Sequence, residues 1–213
     1  MKKVLIARPL PDEVLEEARR HFDVDVRSST APQSVDEMTA ALRDYDGIMP
    51  TLGDMFQSAV FDAVPDPRCR ILANFGVGYN HIDADAAKGA GLAVSNTPGA
   101  VTDATADIAM TLMLMSARRA GEGDRLVRSG DWEGWHPTQF LGLHVSGKTL
   151  GVIGMGRIGK AIAKRCHFGF GMDVVFYNRS QIEDCGVPGA RQLESIGDVM
   201  AAGDVVSVSV PGG

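Results

Sequence analysis

The chain has 213 residues, 45% hydrophobic and 23% charged, a globular balance that excludes a disordered or fibrous protein and, at roughly 150 residues per domain, allows one or two domains. A net charge of −6 excludes nucleic acid as the main partner, which needs a basic face, yet permits a local anion site built from backbone N–H groups. Three scattered cysteines, Cys69, Cys166 and Cys185, with no CxxC pair, exclude a disulfide framework or zinc ribbon and suit a reducing compartment.

The opening MKKVLIARPL carries too short an apolar run for a secretory core of about 7–15 residues. The longest oily stretch, Ile108–Ala117, falls well below the ~18 residues of a membrane span. A soluble, cytoplasmic protein is expected. Val4–Ala7 reads as a strand, after which Pro11-Asp12-Glu13 opens a helix, its acids matching the positive helix end. Strand-like runs follow at Val24–Val26, Gly47–Met49, Arg70–Ala73 and Leu92–Ser95, interleaved with helical pieces at Val35–Arg43 and Ile82–Gly89. This alternation predicts α/β architecture, a parallel sheet with helices on both faces. Thr102–Arg119 reads as one long helix, with Thr102 as N-cap and Asp103 in the first turn. It is apolar nearly all round, which predicts burial, with its methionines as core filler. The glycine-rich stretch Gly121–Gly147, with Trp132, Trp135 and Pro137, reads as a long connection of functional or interfacial use. A second alternating unit starts at Thr149.

Two phosphate-type patterns stand side by side. Gly142–Thr149 (GLHVSGKT) formally matches a P-loop, but the lysine is followed by a strand-like run, Thr149–Ile153, where a P-loop requires a helix. Gly154-Met155-Gly156-Arg157-Ile158-Gly159 has the right surroundings: strand Leu150–Ile153 before it, a helical pattern after it, and strand Val174–Tyr177 next. Gly154 permits the tight turn, Gly156 lets the backbone approach a pyrophosphate, and Gly159 lets helix and strand pack closely. Free N–H groups at the helix start then meet the phosphates. This predicts a dinucleotide site. At the end of the second strand, where NAD sites usually carry Asp or Glu, stand Asn178-Arg179-Ser180. A guanidinium there suits a 2′-phosphate, so NADP(H) is the expected preference, with NAD(H) second.

Asn74–Tyr79 (NFGVGY) follows a strand. Its two glycines around Val77 can expose consecutive amides as a nest for a carboxylate, and the run reads equally as an ordinary glycine turn. The histidines His21, His81, His136, His144 and His167 show neither metal spacing nor a partnered carboxylate and read as surface or packing residues. No GxSxG elbow or Cys–His arrangement occurs. Arg118, Arg119, Arg125 and Arg128 are interrupted by Glu122 and Asp124 and read as a solvated face.

Asn74–Asp83 (NFGVGYNHID), Asn96–Gly99 (NTPG), Thr102–Asp107 (TDATAD) and Gly151–Gly159 (GVIGMGRIG), in this order, resemble the D-isomer-specific 2-hydroxyacid dehydrogenases. Trp132-Glu133-Gly134-Trp135 and the Asn178–Ser180 turn make the chain most similar to the glyoxylate/hydroxypyruvate reductase branch. The resemblance implies two Rossmann-like, doubly wound lobes around a cleft. Residues 1–98 would form a flavodoxin-like substrate lobe. Residues 99–213 would form a dinucleotide lobe, incomplete at its C-terminus, with a dimerisation loop at about 119–147. It further implies that Gly76, Val77 and Gly78 hold the substrate carboxylate and that Leu52 lines the cleft. Thr105 would touch the coenzyme near the nicotinamide, Arg157 and Ile158 would face the pyrophosphate, and Val210 and Pro211 would border the adenosine. Trp135 would reach the neighbouring subunit's active site in a homodimer. The implied reaction is NADPH-dependent reduction of glyoxylate or hydroxypyruvate.

The family's catalytic arginine, glutamate and histidine follow the segment matching Val205–Gly213, so no catalytic residue is expected within this chain. A part of a longer active enzyme is the expectation, because a sheet cut midway exposes an unpaired edge; a truncated inactive product is the alternative. A non-catalytic dinucleotide-sensing module, or a phosphoglycerate- or formate-type dehydrogenase, are the other functional readings.

Overall fold

A computed structural model describes residues 1–210 and divides the chain into two compact units, Met1–Ala100 and Val101 onward. The first unit runs β1 (Lys3–Ile6), α1 (Asp12–His21), β2 (Asp23–Val26), α2 (Val35–Asp44), β3 (Gly47–Met49), α3 (Ser58–Asp62), β4 (Ile71–Ala73), α4 (Ala84–Gly89) and β5 (Ala93–Ser95). Its strands are all parallel, in the order β2-β1-β3-β4-β5. That is the flavodoxin-type doubly wound order, in which ligands bind beyond the carboxyl ends of the strands where the order reverses, here β1 and β3. Local signals start the helices. Ser34 and Glu37 form a reciprocal capping box on α2, and Asp83 accepts the Ala86 N–H at the head of α4, each such cap contributing ~1 kcal/mol. Phe56, Leu42, Ile48 and Leu72 are wholly buried at the centre of this unit's core.

Asp46 ties the lower edge of the first sheet. Its carboxylate takes the Lys3 N–H at 2.7 Å and the Arg68 guanidinium at 2.9 Å. Arg68, then the Lys3 amide, hold its pKa down at about 2. A depressed carboxylate stabilises the fold above its unfolded pKa of ~3.9 and loses that contribution as pH falls towards the folded value. Asp46→Asn is therefore less stable than wild type at pH 7, and the difference shrinks below pH ~4 and vanishes near pH 2. Urea midpoints measured across that range test it; a constant difference would contradict the linkage.

The second unit comprises α5 (Thr102–Ala117), α6 (Ala120–Ser129), β6 (Thr149–Ile153), α7 (Arg157–Phe170), β7 (Asp173–Tyr177), β8 (Arg191–Gln192), α8 (Ile196–Ala202) and β9 (Val205–Val208). The parallel order is β8-β7-β6-β9. Numbered within the unit this is 3-2-1-4, the opening of the Rossmann order, and its switch point lies between β6 and β9. Leu150, Val152, Ile162, Ala163, Cys166 and Met172 form the core between sheet and α7. No helix among the described residues is long and apolar enough to cross a membrane, and no cluster of three or more His, Cys, Asp or Glu among them is placed to hold a metal ion.

Three expectations for this unit need correction. The long helix begins one residue after Val101, which caps it without a side-chain bond, so Thr102 is not the N-cap. The helix is not buried. One stripe, Ala106, Met110 and Met113, packs on the core beside Cys166, while a second stripe, Ile108, Leu112 and Met115, is exposed. Both stripes follow helical spacing, and a sequence apolar on both sides does not say which one finds a cover. The stretch after Arg119 is not all connection: α6 occupies its first ten residues, ended by Gly130 in the left-handed region. The arginines of this segment do form a solvated face, Arg119 pairing with Glu122 and Arg128 with Asp124.

Candidate functional site

In the first unit, the sequence places an ion pair under the carboxyl edge of the sheet. Arg8 leaves β1 and Asp54 follows β3. Their side chains meet at 2.9 Å, with Asp54 fully buried and Arg8 nearly so. Asp54 also accepts the backbone N–H of Gln33 at 2.8 Å and of Thr51 at 2.9 Å. One carboxylate thus joins the ends of β1 and β3 to the loop after β2. Leu52, within this loop, is 65% exposed, and its Cδ2 lies 3.8 Å from where a side chain on Gly76 would begin. The structure therefore brings Leu52 to the 76–78 loop.

That loop leaves β4 and is held by its carbonyls. Asn74 Nδ2 donates to the Gly76 carbonyl at 3.2 Å and to the Gly78 carbonyl at 2.9 Å. Asn96 Nδ2 donates to the Val77 carbonyl at 2.8 Å, and the Thr97 N–H reaches Gly76 as well. Asn74 is buried, and its Oδ1 lies 3.0 Å from Nε2 of the buried His81. Because Asn74 spends its N–H₂ on carbonyls, Oδ1 is the acceptor and His81 the donor. Burial pushes the His81 pKa down, partly opposed by the Asp54 charge. Gly76 itself sits at φ 153°, a conformation glycine adopts freely. His81 is a buried residue, as expected, and its ring partner is Asn74.

A cavity of about 470 Å³ in this unit lies elsewhere, between β2 and α2. Asp25, Arg27, Glu37 and Asp44 line it, with Arg27 already paired to Glu37 at 3.0 Å.

In the second unit the Gly154–Gly159 turn joins β6 to α7. Gly154 has φ 94°, and a side chain there would strike the Ser209 carbonyl at the end of β9. A side chain on Gly159 would strike the Gly154 carbonyl and come 3.2 Å from Val152 Cγ1. Gly156 is exposed, and a side chain on it would meet nothing within 4 Å. The three glycines therefore serve turn, open approach and helix packing respectively. No acidic residue occupies the first turn of α7, so its unpaired N–H groups face an uncompensated positive end. Arg157 beside them is exposed. Ile158 turns its side chain onto the core and offers only its amide. These are the features a pyrophosphate needs, and the residues fit a dinucleotide.

Asn178 Oδ1 accepts the Met155 N–H at 3.3 Å, while its Nδ2 holds Ser180 at 3.0 Å. Asn178 is thus a brace between the glycine turn and the end of β7, its Nδ2 also donating to the Ser180 hydroxyl at 3.0 Å. Arg179 is exposed and makes no ion pair among the described residues. Gln192 on β8, which sequence reading missed, ties the same turn by donating to the Asn178 and Ser180 carbonyls, both at 3.1 Å. A side chain on Gly154 would come 2.8 Å from Val210 Cγ1; Pro211 lies outside the described residues. Thr105 is exposed on α5, next to the buried Ala106, and no hydrogen bond among the described residues ties its side chain to the turn. Trp135 is 79% exposed on the surface of the second unit. The P-loop look-alike is disposed of by geometry: Ser146 and Gly147 form a turn, and Lys148 leads directly into strand β6 where a P-loop needs a helix.

Comparison with known proteins agrees with this geometry. Residues 110–213 match the D-isomer-specific 2-hydroxyacid dehydrogenase NAD-binding domain. A glyoxylate reductase of Thermococcus kodakarensis is 41% identical over 98% of the chain. The chain belongs to the D-isomer-specific 2-hydroxyacid dehydrogenases. Among solved members and relatives, a dehydrogenase from Rhizobium meliloti is 32% identical with a TM-score of 0.74, aligned over 96% of this chain and 69% of its own. An NADPH-dependent glyoxylate/hydroxypyruvate reductase from Sinorhizobium meliloti, in complex with citrate, is 30% identical with a TM-score of 0.80, over 99% of this chain and 64% of its own. The chain spans 63% of the length of the Thermococcus kodakarensis glyoxylate reductase.

Proposed function

We propose that the protein reduces a small 2-oxo acid, glyoxylate or hydroxypyruvate, with NADPH. The observation that carries this reading is the Gly154–Gly159 turn, whose exposed middle glycine and acid-free helix start suit a diphosphate. Arg179, unpaired and exposed beside that turn, supports a 2′-phosphate, which a guanidinium binds through two parallel hydrogen bonds. The names of the relatives support the substrate class. When bound, the coenzyme supplies the hydride that the keto carbon accepts. This chain's own part is to bind and orient. The Val77 and Gly78 amides fix the carboxylate of the substrate, and Leu52 gives the small apolar contact beside it. Orientation of this kind removes much of the entropic barrier of a two-reactant step. The proton donor belongs to the part of the relatives' length that this chain does not span.

Calorimetry with NADPH and NADH tests the coenzyme half. Wild type binds NADPH more tightly, and Arg179→Glu weakens NADPH by roughly tenfold or more, the loss of a charge-assisted pair worth about 1.5–3 kcal/mol, while NADH is little changed. No heat from either coenzyme would overturn the reading. NADPH oxidation on adding glyoxylate to the protein at the relatives' full length tests the reaction.

We further propose that a second copy covers the second unit. Ile108 and Leu112 on α5, Val127 on α6, Trp135 and Leu141 are all exposed there, and apolar patches of this kind mark association surfaces. Sedimentation velocity at micromolar concentration is expected to show a dimer, and Leu112→Glu a monomer; a wild-type monomer would refute it.

A further inference from the structure

We infer that Asn74 and Asn96 are the positioning residues of the carboxylate site, and that His81 acts through Asn74 as its lock. The inference rests on the reading of the 76–78 loop as the carboxylate site, and it concerns how that loop comes to point its amides outward. A trans peptide is planar, with C=O and N–H directed oppositely across the bond. Fixing one carbonyl therefore fixes the direction of the next residue's N–H. The Gly76 carbonyl, held by Asn74 Nδ2 and the Thr97 N–H, sets the Val77 N–H. The Val77 carbonyl, held by Asn96 Nδ2, sets the Gly78 N–H. The Gly78 carbonyl, held again by Asn74 Nδ2, sets the Tyr79 N–H. Three successive carbonyls are turned onto the protein by two side-chain amides, and their opposite faces form one row of donors. Among the described residues, the bonds that fix the loop engage these carbonyls and not the Val77 or Gly78 N–H.

The arrangement works only with Asn74 in one of its two orientations. Rotated by half a turn, Oδ1 would face two carbonyl oxygens, and both contacts would become repulsive. The two carbonyls select the other orientation, and His81 reinforces it in the tautomer that matches, with Nε2–H donating to Oδ1 at 3.0 Å. His81 is in turn fixed through its own carbonyl, which accepts Gln57 Nε2 at 2.9 Å. The chain of restraint runs Gln57, His81, Asn74, then the loop. A buried network of this kind is strong when every member is satisfied and costly when one is not.

The test separates this inference from the functional reading beneath it. Amide exchange of the free protein, read by nitrogen-15 NMR, needs no ligand. In wild type the Val77, Gly78 and Tyr79 amides keep a single set of sharp resonances with a narrow spread of exchange rates. Asn74→Asp, which places an acceptor against the two carbonyls, splits or broadens them, whereas Asn74→Ser shifts them less. Oxalate, a planar dicarboxylate, then serves as the probe for binding, and NADPH affinity serves as the control for global damage. Asn74→Asp and His81→Leu are expected to weaken oxalate at least tenfold with NADPH affinity within twofold of wild type. His81→Gln, which retains an N–H donor, is expected to recover most of the loss. Unaltered amide resonances in Asn74→Asp would overturn the inference whether or not oxalate binds. Wild type that fails to bind oxalate, with resonances that respond to Asn74→Asp, would leave the positioning role standing and remove the carboxylate reading. Equal loss of oxalate and NADPH affinity in the variants would show mere misfolding and would also overturn it.

Discussion

Replacing Gly156 by alanine is expected to cut NADPH affinity at least tenfold, about 1.4 kcal/mol, while barely disturbing the fold. The backbone there is ordinary, with φ −79° and ψ −162°, and the added methyl group meets empty space. The only stability cost is a poorer helix cap, under about 1 kcal/mol. The methyl group nonetheless stands where a diphosphate must approach the α7 amides. The flanking glycines behave differently. Gly159→Ala drives a methyl group into the Gly154 carbonyl, an overpacking cost of about 1–3 kcal/mol. Gly154→Ala adds strain at φ 94°, again about 1–3 kcal/mol, and pushes β6 from β9. All three substitutions weaken the coenzyme, but only the first does so in a protein of near-normal stability. Fluorescence titration with NADPH and thermal unfolding on the three variants decide the matter. A Gly156→Ala protein with unchanged affinity would remove the site.

Asp54→Ala should be the most damaging single change in the first unit, destabilising it by about 3–5 kcal/mol. The reason lies in what is left behind. Arg8 has only 13% of its side chain exposed, so its charge would be stranded, and the Gln33 and Thr51 amides would lose their acceptor. Asp54→Asn keeps an acceptor and should cost less; Arg8→Met combined with Asp54→Leu removes both charges and should recover much of the loss, since a vacated pair is cheaper than a broken one. Urea unfolding of the single and double variants gives the coupling. A loss below about 1 kcal/mol for Asp54→Ala would mean that solvent reaches Arg8 after all.

The inner strands were readable because parallel strands covered on both faces are continuous apolar runs, whereas edge strand β2 alternates Asp and Val and is half exposed. Gly47–Met49 coincides with its expected bounds, and the other expected strands differ by one residue at most at either end. The glycine turn was readable because its chemistry demands residues without side chains at fixed spacing. Less legible were features set by partners distant in sequence. Asn74 meets Gly76 and Gly78 locally, but its lock is seven residues on, and Asn96 is nineteen from Val77. Gln192 lies on a two-residue strand that carries no periodic signal. The helix α6 was hidden because its two glycines, Gly121 and Gly123, are poor helix formers; salt links between Arg119 and Glu122 and between Arg128 and Asp124 and its place beside α5 override that preference. The second apolar stripe of α5 shows the same limit, since coverage is a property of neighbours.

The proposed donor row, the N–H groups of residues 77–79, is made of main chain, and this bears on how such a protein can change. No point mutation deletes a peptide N–H, short of proline, so acid recognition survives drift at Val77 itself. Side chains that do not hold the loop's carbonyls are free to vary. Leu52, exposed and beside Gly76, is therefore the place to alter which tail of the acid is accepted, and selection or engineering can retune appetite there without forfeiting grip on the head group.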